Sequence, residues 1–331
     1  MPLKIEDIPR LRFAFLPTPL MKAERLSKEL GGPTIWIKRD DLTGLAFGGN
    51  KIRKLEFLMA DALAQGATHV LTIGGAQSNH AMQTATVARR LGLQPVLVLG
   101  KPRRPGDEGN LLLDRILGAE VRFASAYDSH DLARAMIVEA EKLRAQGHKP
   151  YCIPLGGSSA LGLMGYVLAV KELMEQTRLL GIKINRVFAA FGSGGTHAGL
   201  VVGKKMYGLD FEVVAVDVGA VKEGAALIAE IANEGAKMLG VGPLTANDVT
   251  VMNEFLGKGY AIPTPEGIAA IKQVARTEGL FLDPVYTSKA MAGLIAAVRA
   301  GQIGKDENIV FIHTGGGPGL FVFPEYFANG K

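Results

Sequence analysis

Short apolar runs recur along the chain, separated by longer stretches in which apolar residues return every three or four positions. The runs are TIWIKRD (34–40), HVLTI (69–73), PVLVL (95–99), EVRFA (120–124), PYCIP (150–154), NRVFAAF (185–191), FEVVAVDV (211–218) and ENIVFIHT (307–314). Rich in β-branched residues and short, they predict buried strands. Helical spacing over 77–92, 107–118 and 130–147 lies between them. Strand-helix alternation of this kind predicts an α/β fold with open, mostly parallel sheets flanked by helices. The two prolines of FLPTPL (15–20) favour an extended path near the start.

One helical stretch carries candidate chemistry. GGNKIRKLEF (48–57) places Lys51 directly after two glycines and an asparagine. Apolar residues then fall at Ile52, Leu55, Leu58, Met59, Ala62 and Leu63, with Arg53, Lys54, Glu56 and Asp61 between them. That spacing predicts a half-buried helix with a polar outer face. Lys51 stands at its N-terminus, where the backbone dipole disfavours a positive charge. A lysine discouraged from holding its proton is a candidate nucleophilic amine of the kind that joins an aldehyde cofactor. A solvated lysine following a glycine turn would read the same way locally.

Composition narrows the classes. With 331 residues, 48% of them hydrophobic, the chain has room for one large or two medium domains. The net charge of +5 is spread along the chain, and no concentrated basic patch points to nucleic acid. No segment approaches the roughly 20 apolar residues of a membrane span, so a cytoplasmic protein is expected. The single cysteine, Cys152, rules out an intrachain disulfide and reads as core. His69, His130, His148 and His197 show no metal-ligand spacing and read as surface or capping residues. No metal is expected.

Three glycine-rich turns follow predicted strands. In FGSGGTHAGL (191–200), Gly192, Gly194 and Gly195 free backbone N–H groups at a helix start, and Ser193 and Thr196 add hydroxyls. That is a phosphate cradle. It lacks the Lys-Ser/Thr pair of a nucleotide loop, while Asp217 keeps a dinucleotide site, and so an oxidoreductase, open. In GGAQSNH (74–80), Ser78 and Asn79 open a helix and either cap it or receive a carboxylate. In HTGGGPG (313–319), Thr314 projects beyond the last strand. Ligands of open α/β sheets gather at that edge.

GGNKIRKLEF, GGAQSNH, GSGGTHAG, DPVYTSKAMAGL (283–294) and FIHTGG (311–316) occur in this order. So arranged, the chain resembles the pyridoxal-phosphate enzymes of the D-cysteine desulfhydrase and 1-aminocyclopropane-1-carboxylate deaminase family, over about residues 16–323. The resemblance implies the tryptophan-synthase-β-like fold (fold type II). It implies a larger cofactor domain from 1–51 and 164–331 and a smaller one from 52–163, with the cofactor in the cleft between them. It implies that Lys51 carries pyridoxal phosphate and later moves the α-proton. Asn50, Asn79 and Thr314 would contact the cofactor, and Ser193, Gly194, Gly195 and Thr196 would hold its phosphate. Ser78, His80, Tyr260 and Tyr286 would face a small amino-acid substrate, with Ser78 and Tyr286 taking part in catalysis. A homodimer is the usual assembly.

Two positions bear on the branch. Deaminases of the family carry a glutamate after the tyrosine of DPVY and a leucine in place of Thr314; here the residues are Thr287 and Thr314. A hydroxyl cannot hold a pyridinium charge as a carboxylate does. A weaker electron sink still suffices when a good leaving group departs from the β-carbon. The expectation is therefore a carbon–sulfur lyase turning D-cysteine into pyruvate, sulfide and ammonia. L-cysteate cleavage and cyclopropane ring opening are the alternatives. Met82 stands where many relatives have an arginine, which counts against a sulfonate substrate or is simply helix packing.

Overall fold

The computed structural model describes residues 2–102, 106–124, 129–221 and 224–328. Among the described residues, ten strands form two sheets. They are β1 (Leu20–Lys22), β2 (Thr34–Lys38), β3 (His69–Gly74), β4 (Gln94–Gly100), β5 (Glu120–Ala124), β6 (Pro150–Ile153), β7 (Arg186–Phe191), β8 (Glu212–Asp217), β9 (Thr250–Met252) and β10 (Asn308–Ile312). Six are ordered β1-β2-β10-β7-β8-β9 and four β5-β4-β3-β6. Every pairing is parallel except β1 with β2. All eight predicted strands are present; inner ones such as β3, β4, β7 and β8 read as continuous apolar runs because both faces are covered, while the exposed edge strand β5 shows through its β-forming residues. The two unpredicted ones, β1 and β9, are three-residue edge strands, too short to show a period.

The predicted helices appear as Asn79–Arg90, Gly109–Ile116 and Ser129–Ala145. Those of Met164–Leu180 and Gly195–Met206 pack face to face. Glycine makes this approach possible: a Cβ on Gly199 would lie 2.4 Å from that of Tyr166. Among the described residues, no helix is long and apolar enough to cross a membrane. Cys152 is half-buried on β6.

The helix Lys51–Ala64 departs from expectation. Its apolar residues are buried as predicted, apart from the partly exposed Leu63, but Arg53, Lys54 and Glu56 are only 2%, 0% and 2% exposed. The reason is packing on several sides, against the helices Met164–Leu180 and Asn79–Arg90. Each polar group finds a partner. Arg53 donates to both oxygens of Asp40 at 2.8 and 2.9 Å and to Glu172 at 2.9 Å. Tyr166 donates its hydroxyl to Asp40 at 2.5 Å, and Lys38 pairs with Glu172. Glu56 accepts the backbone N–H groups of Phe13 and Ala14 at 2.8 and 2.9 Å. Removing one partner from a buried pair of this kind typically costs about 3–5 kcal/mol. The network thus holds the start of the helix, and Lys51 with it, against the larger sheet.

Candidate active site

The loops after β3, β7 and β10 converge on a cavity of about 640 Å³ between the two sheets. Its walls include Asn50, Lys51, Ser78, Asn79, His80, Ser193, Gly194, Thr196, Tyr260, Tyr286 and Thr314. Of the residues expected at the site, only Gly195 stands back from the wall.

Lys51 is the first residue of its helix. The turn before it is built for glycine: Gly48 has φ +71°, and a Cβ there would lie 1.8 Å from the Asp41 carbonyl oxygen. The Lys51 amine donates to Asn50 Oδ1 at 3.0 Å, and Asn50 Nδ2 donates to Thr196 Oγ1 at 3.0 Å. Asn50 N–H donates to the Thr314 carbonyl at 3.1 Å. One hydrogen-bonded chain therefore ties the lysine to the loops after β7 and β10. Burial lowers the Lys51 pKa to about 8, against the opposing pull of the Asp283 carboxylate. The amine is poised to lose its proton near neutrality.

The loop after β7 enters the helix Gly195–Met206 with Gly194 at φ +85°. The Gly195 N–H donates to Ser158 Oγ at 3.0 Å, and the Ser158 and Ser193 hydroxyls are 2.8 Å apart. A Cβ on Gly195 would lie 2.6 Å from Ser158 Oγ and 2.8 Å from Lys54 Nζ. Lys54 is wholly buried, donates to the Gly156 carbonyl at 3.1 Å, and has its pKa pushed well down by burial and by Lys51. Two lysines, two serines, a threonine and a helix N-terminus meet here. An oxyanion suits such a donor-rich corner.

Across the cavity, Ser78 caps the helix Asn79–Arg90, accepting the Ala81 N–H at 3.1 Å, and also lines the wall. Asn79 Oδ1 accepts from Asn110 Nδ2 at 2.7 Å. The buried His80 ring meets Thr72 Oγ1 at 2.9 Å, and burial with the nearby Lys51 and Lys54 keeps it neutral. Tyr260 and Tyr286 hydrogen-bond through their hydroxyls, with ring centroids 6.0 Å apart. Burial raises both pKa values, so each hydroxyl keeps its proton. Asp283 fixes Tyr286 by accepting the N–H groups of Val285, Tyr286 and Thr287 at 2.8–2.9 Å.

Thr287 lies off the cavity wall; its hydroxyl donates to Asp283 Oδ1 at 2.7 Å. Met82 is buried within its helix and also off the wall, as packing would have it. His197 is not the surface residue expected: it is 1% exposed, edge-on to Phe191, with its pKa lowered to about 3 by burial. Asp217 accepts the Gly219 N–H at 2.7 Å. Lys54, Ser158, Asn110 and Asp283 were missed by sequence reasoning. Only Asp283 had a usable signal, as an acidic residue just before a helix start. Among the described residues, no group of three or more metal-ligating side chains could hold a metal.

The chain is similar to known proteins over nearly its whole length. The family described as pyridoxal-phosphate dependent enzyme matches residues 11–315. A protein of Pyrococcus abyssi, provisionally named 1-aminocyclopropane-1-carboxylate deaminase, is 42% identical over 97% of this chain and 96% of its own. D-cysteine desulfhydrase of Serratia proteamaculans is 43% identical over 97% of each chain. A crystal structure of a 1-aminocyclopropane-1-carboxylate deaminase homologue superposes with a TM-score of 0.91 at 40% identity, covering 97% of this chain and 96% of that one.

Proposed function

The chain belongs to the family of pyridoxal-phosphate dependent enzymes, and from that premise we propose that it is a lyase converting D-cysteine to pyruvate, sulfide and ammonia. The residues present fit the cofactor. The wall made by Ser193, Gly194 and Thr196 at a helix N-terminus suits its phosphate, with the donors of Ser158 and Lys54 packed close behind it against Gly195. Gly195 contributes by letting Ser158 and Lys54 approach its backbone closely. Lys51 supplies the amine for its aldehyde, and Asn50, Asn79 and Thr314 would border its ring.

The bound cofactor supplies an aldehyde that condenses with amines and a ring that withdraws electrons from the substrate's α-carbon. The protein does the rest. Ser78 and the helix N-terminus behind it bind the substrate carboxylate. Lys51 Nζ would take the α-proton, a role for which a pKa near the working pH is suited. Sulfide leaves the β-carbon with the electron pair of the C–S bond, and the hydrogen-bonded Tyr260–Tyr286 pair on the wall keeps one hydroxyl proton free to donate to it.

The observation that carries the choice of reaction is the Thr314 side of the cavity. Glu108 is the only carboxylate among the described wall residues, and Thr314 offers a hydroxyl. That favours expelling a good leaving group over opening an unactivated ring. The deaminase reading remains the second, supported by the relative and the solved structure that bear that name. Supplying the holoenzyme with D-cysteine, L-cysteate or the cyclopropane acid separates them: sulfide and pyruvate, sulfite and pyruvate, or 2-oxobutanoate. Formation of 2-oxobutanoate without sulfide release from D-cysteine would replace the first reading with the second. Lys51→Ala should abolish turnover and leave the melting curve unchanged; retained turnover in that variant would sink the mechanism.

The same reading assigns residues 1–51 and 164–331 to a larger domain and 52–163 to a smaller one. In support, the six-stranded sheet falls wholly in the first set and the four-stranded sheet in the second. Native-state hydrogen exchange that protects the two sets as one cooperative unit would count against the division. A cytoplasmic homodimer completes the reading, and sedimentation of the holoenzyme as a monomer would remove the dimer.

A further inference from the structure

Behind the loop that presents Ser78 and Asn79 lies Asn110, in the first turn of the helix Gly109–Ile116 and fully buried. Its Nδ2 donates to the Gln77 carbonyl at 3.0 Å and to Asn79 Oδ1 at 2.7 Å. Its backbone N–H donates to Gln77 Oε1 at 2.9 Å, and Gln77 Nε2 donates to the Glu108 carbonyl at 2.9 Å. The two ends of a side-chain amide have the same shape, so only partners reveal which end points where. Here the backbone decides. A carbonyl can only accept, so the Asn110 atom that meets Gln77 O is the nitrogen. The same nitrogen meets Asn79, so the Asn79 atom facing it is the oxygen. That leaves Asn79, on the cavity wall, with its Nδ2 donor unpartnered among the described residues.

We propose that Asn110 is a positioning residue that locks the Asn79 amide so that a donor, not an acceptor, meets the cofactor ring. The inference rests on the reading of Asn79 as a cofactor contact. Bound pyridoxal phosphate is anionic and rich in acceptor oxygens, so a turned amide would exchange a charge-assisted hydrogen bond for a repulsion. Neither surface charge nor the helix dipole would correct that error.

The test is titration of the apoprotein with pyridoxal phosphate, read by visible absorbance, with the pH midpoint of the bound cofactor's absorbance as a second readout. Asn110→Asp keeps the shape and replaces the donor with an acceptor, which forces Asn79 to turn. Cofactor Kd should weaken roughly tenfold or more, and the pH midpoint should move. Asn110→Ala, which leaves Asn79 free to choose, should lose less and guards against a folding failure of the charged variant. In an Asn79→Ala background neither substitution should weaken binding further. Wild-type Kd and midpoint in both Asn110 variants would overturn the proposal. So would a weakening that persists in the Asn79→Ala background, because it would show a merely structural role. An Asn79→Ala protein with unchanged Kd and absorbance would instead remove Asn79 from the cofactor site, and the proposal with it.

Discussion

Lys51 should react with pyridoxal phosphate as an amine of pKa about 8, and the apoprotein is where this can be measured. An ordinary lysine has a pKa of 10.5; burial lowers this one, and the Asp283 carboxylate resists the change. At pH 7 an amine of pKa 8 is unprotonated about 9% of the time, and one of pKa 10.5 about 0.03%, a ratio of roughly 300. Only the unprotonated amine attacks the aldehyde. Stopped-flow absorbance should therefore give an association rate that climbs about tenfold per pH unit below the midpoint and levels off above it. Starting at pH 7 keeps clear of the cofactor's own phosphate ionisation, near 6. Free N-α-acetyl-lysine, run in parallel, should keep climbing toward pH 10. Asp283→Asn removes the charge that favours the protonated amine, so its midpoint should fall. A wild-type rate that tracks the free lysine up to pH 10 would refute the claim that burial activates Lys51.

Two further outcomes follow from side chains around the site. Asp114 is 1% exposed, neither of its carboxyl oxygens has a hydrogen-bond partner, and burial raises its pKa from 3.8 to about 8. The folded state then holds a proton that the unfolded state has lost, so stability falls as pH rises from about 4 to about 8. Asp114→Asn should remove that slope and stabilise by at most about 6 kcal/mol at pH 8, seen as a higher Tm at pH 8 but not at pH 4; an equal Tm difference at both pH values would count against it. Gly195→Ala sets a methyl 2.6 Å from Ser158 Oγ and 2.8 Å from Lys54 Nζ, and should cost at least tenfold in cofactor affinity in a protein that still folds. Unchanged affinity in that variant would move the phosphate away from this corner.

What could be read from the sequence, and what could not, divides by range. The inner strands were legible because a parallel sheet buries both their faces, and the exposed edge strand β5 because its residues are β-formers. The corner proposed for the cofactor was legible because its parts are local: glycines at a strand end, hydroxyls beside them and a helix behind. The polar face assigned to the helix Lys51–Ala64 was not, because the partner that buries Arg53 is 119 residues away at Glu172. Periodicity reports which residues share a face and is silent about what covers it. The helix Gly195–Met206, apolar nearly all round, did carry a sign that it was enclosed, and His197 should have been placed inside on that ground. Lys54, Ser158 and Asn110 left no such sign, since an isolated polar residue looks alike on a surface and in a network. Substrate choice lies at the far end of this scale. On the proposed reading it turns on hydroxyls brought together from Tyr260 and Tyr286, 26 residues apart, and on Thr314, which lines the wall while Thr287 is held by Asp283. On that reading, Thr287 and Thr314, where deaminases carry a glutamate and a leucine, separate sulfide elimination from ring opening. The parts proposed for the cofactor are thus written in runs of neighbouring residues, and those proposed for the substrate in single side chains far apart in the chain.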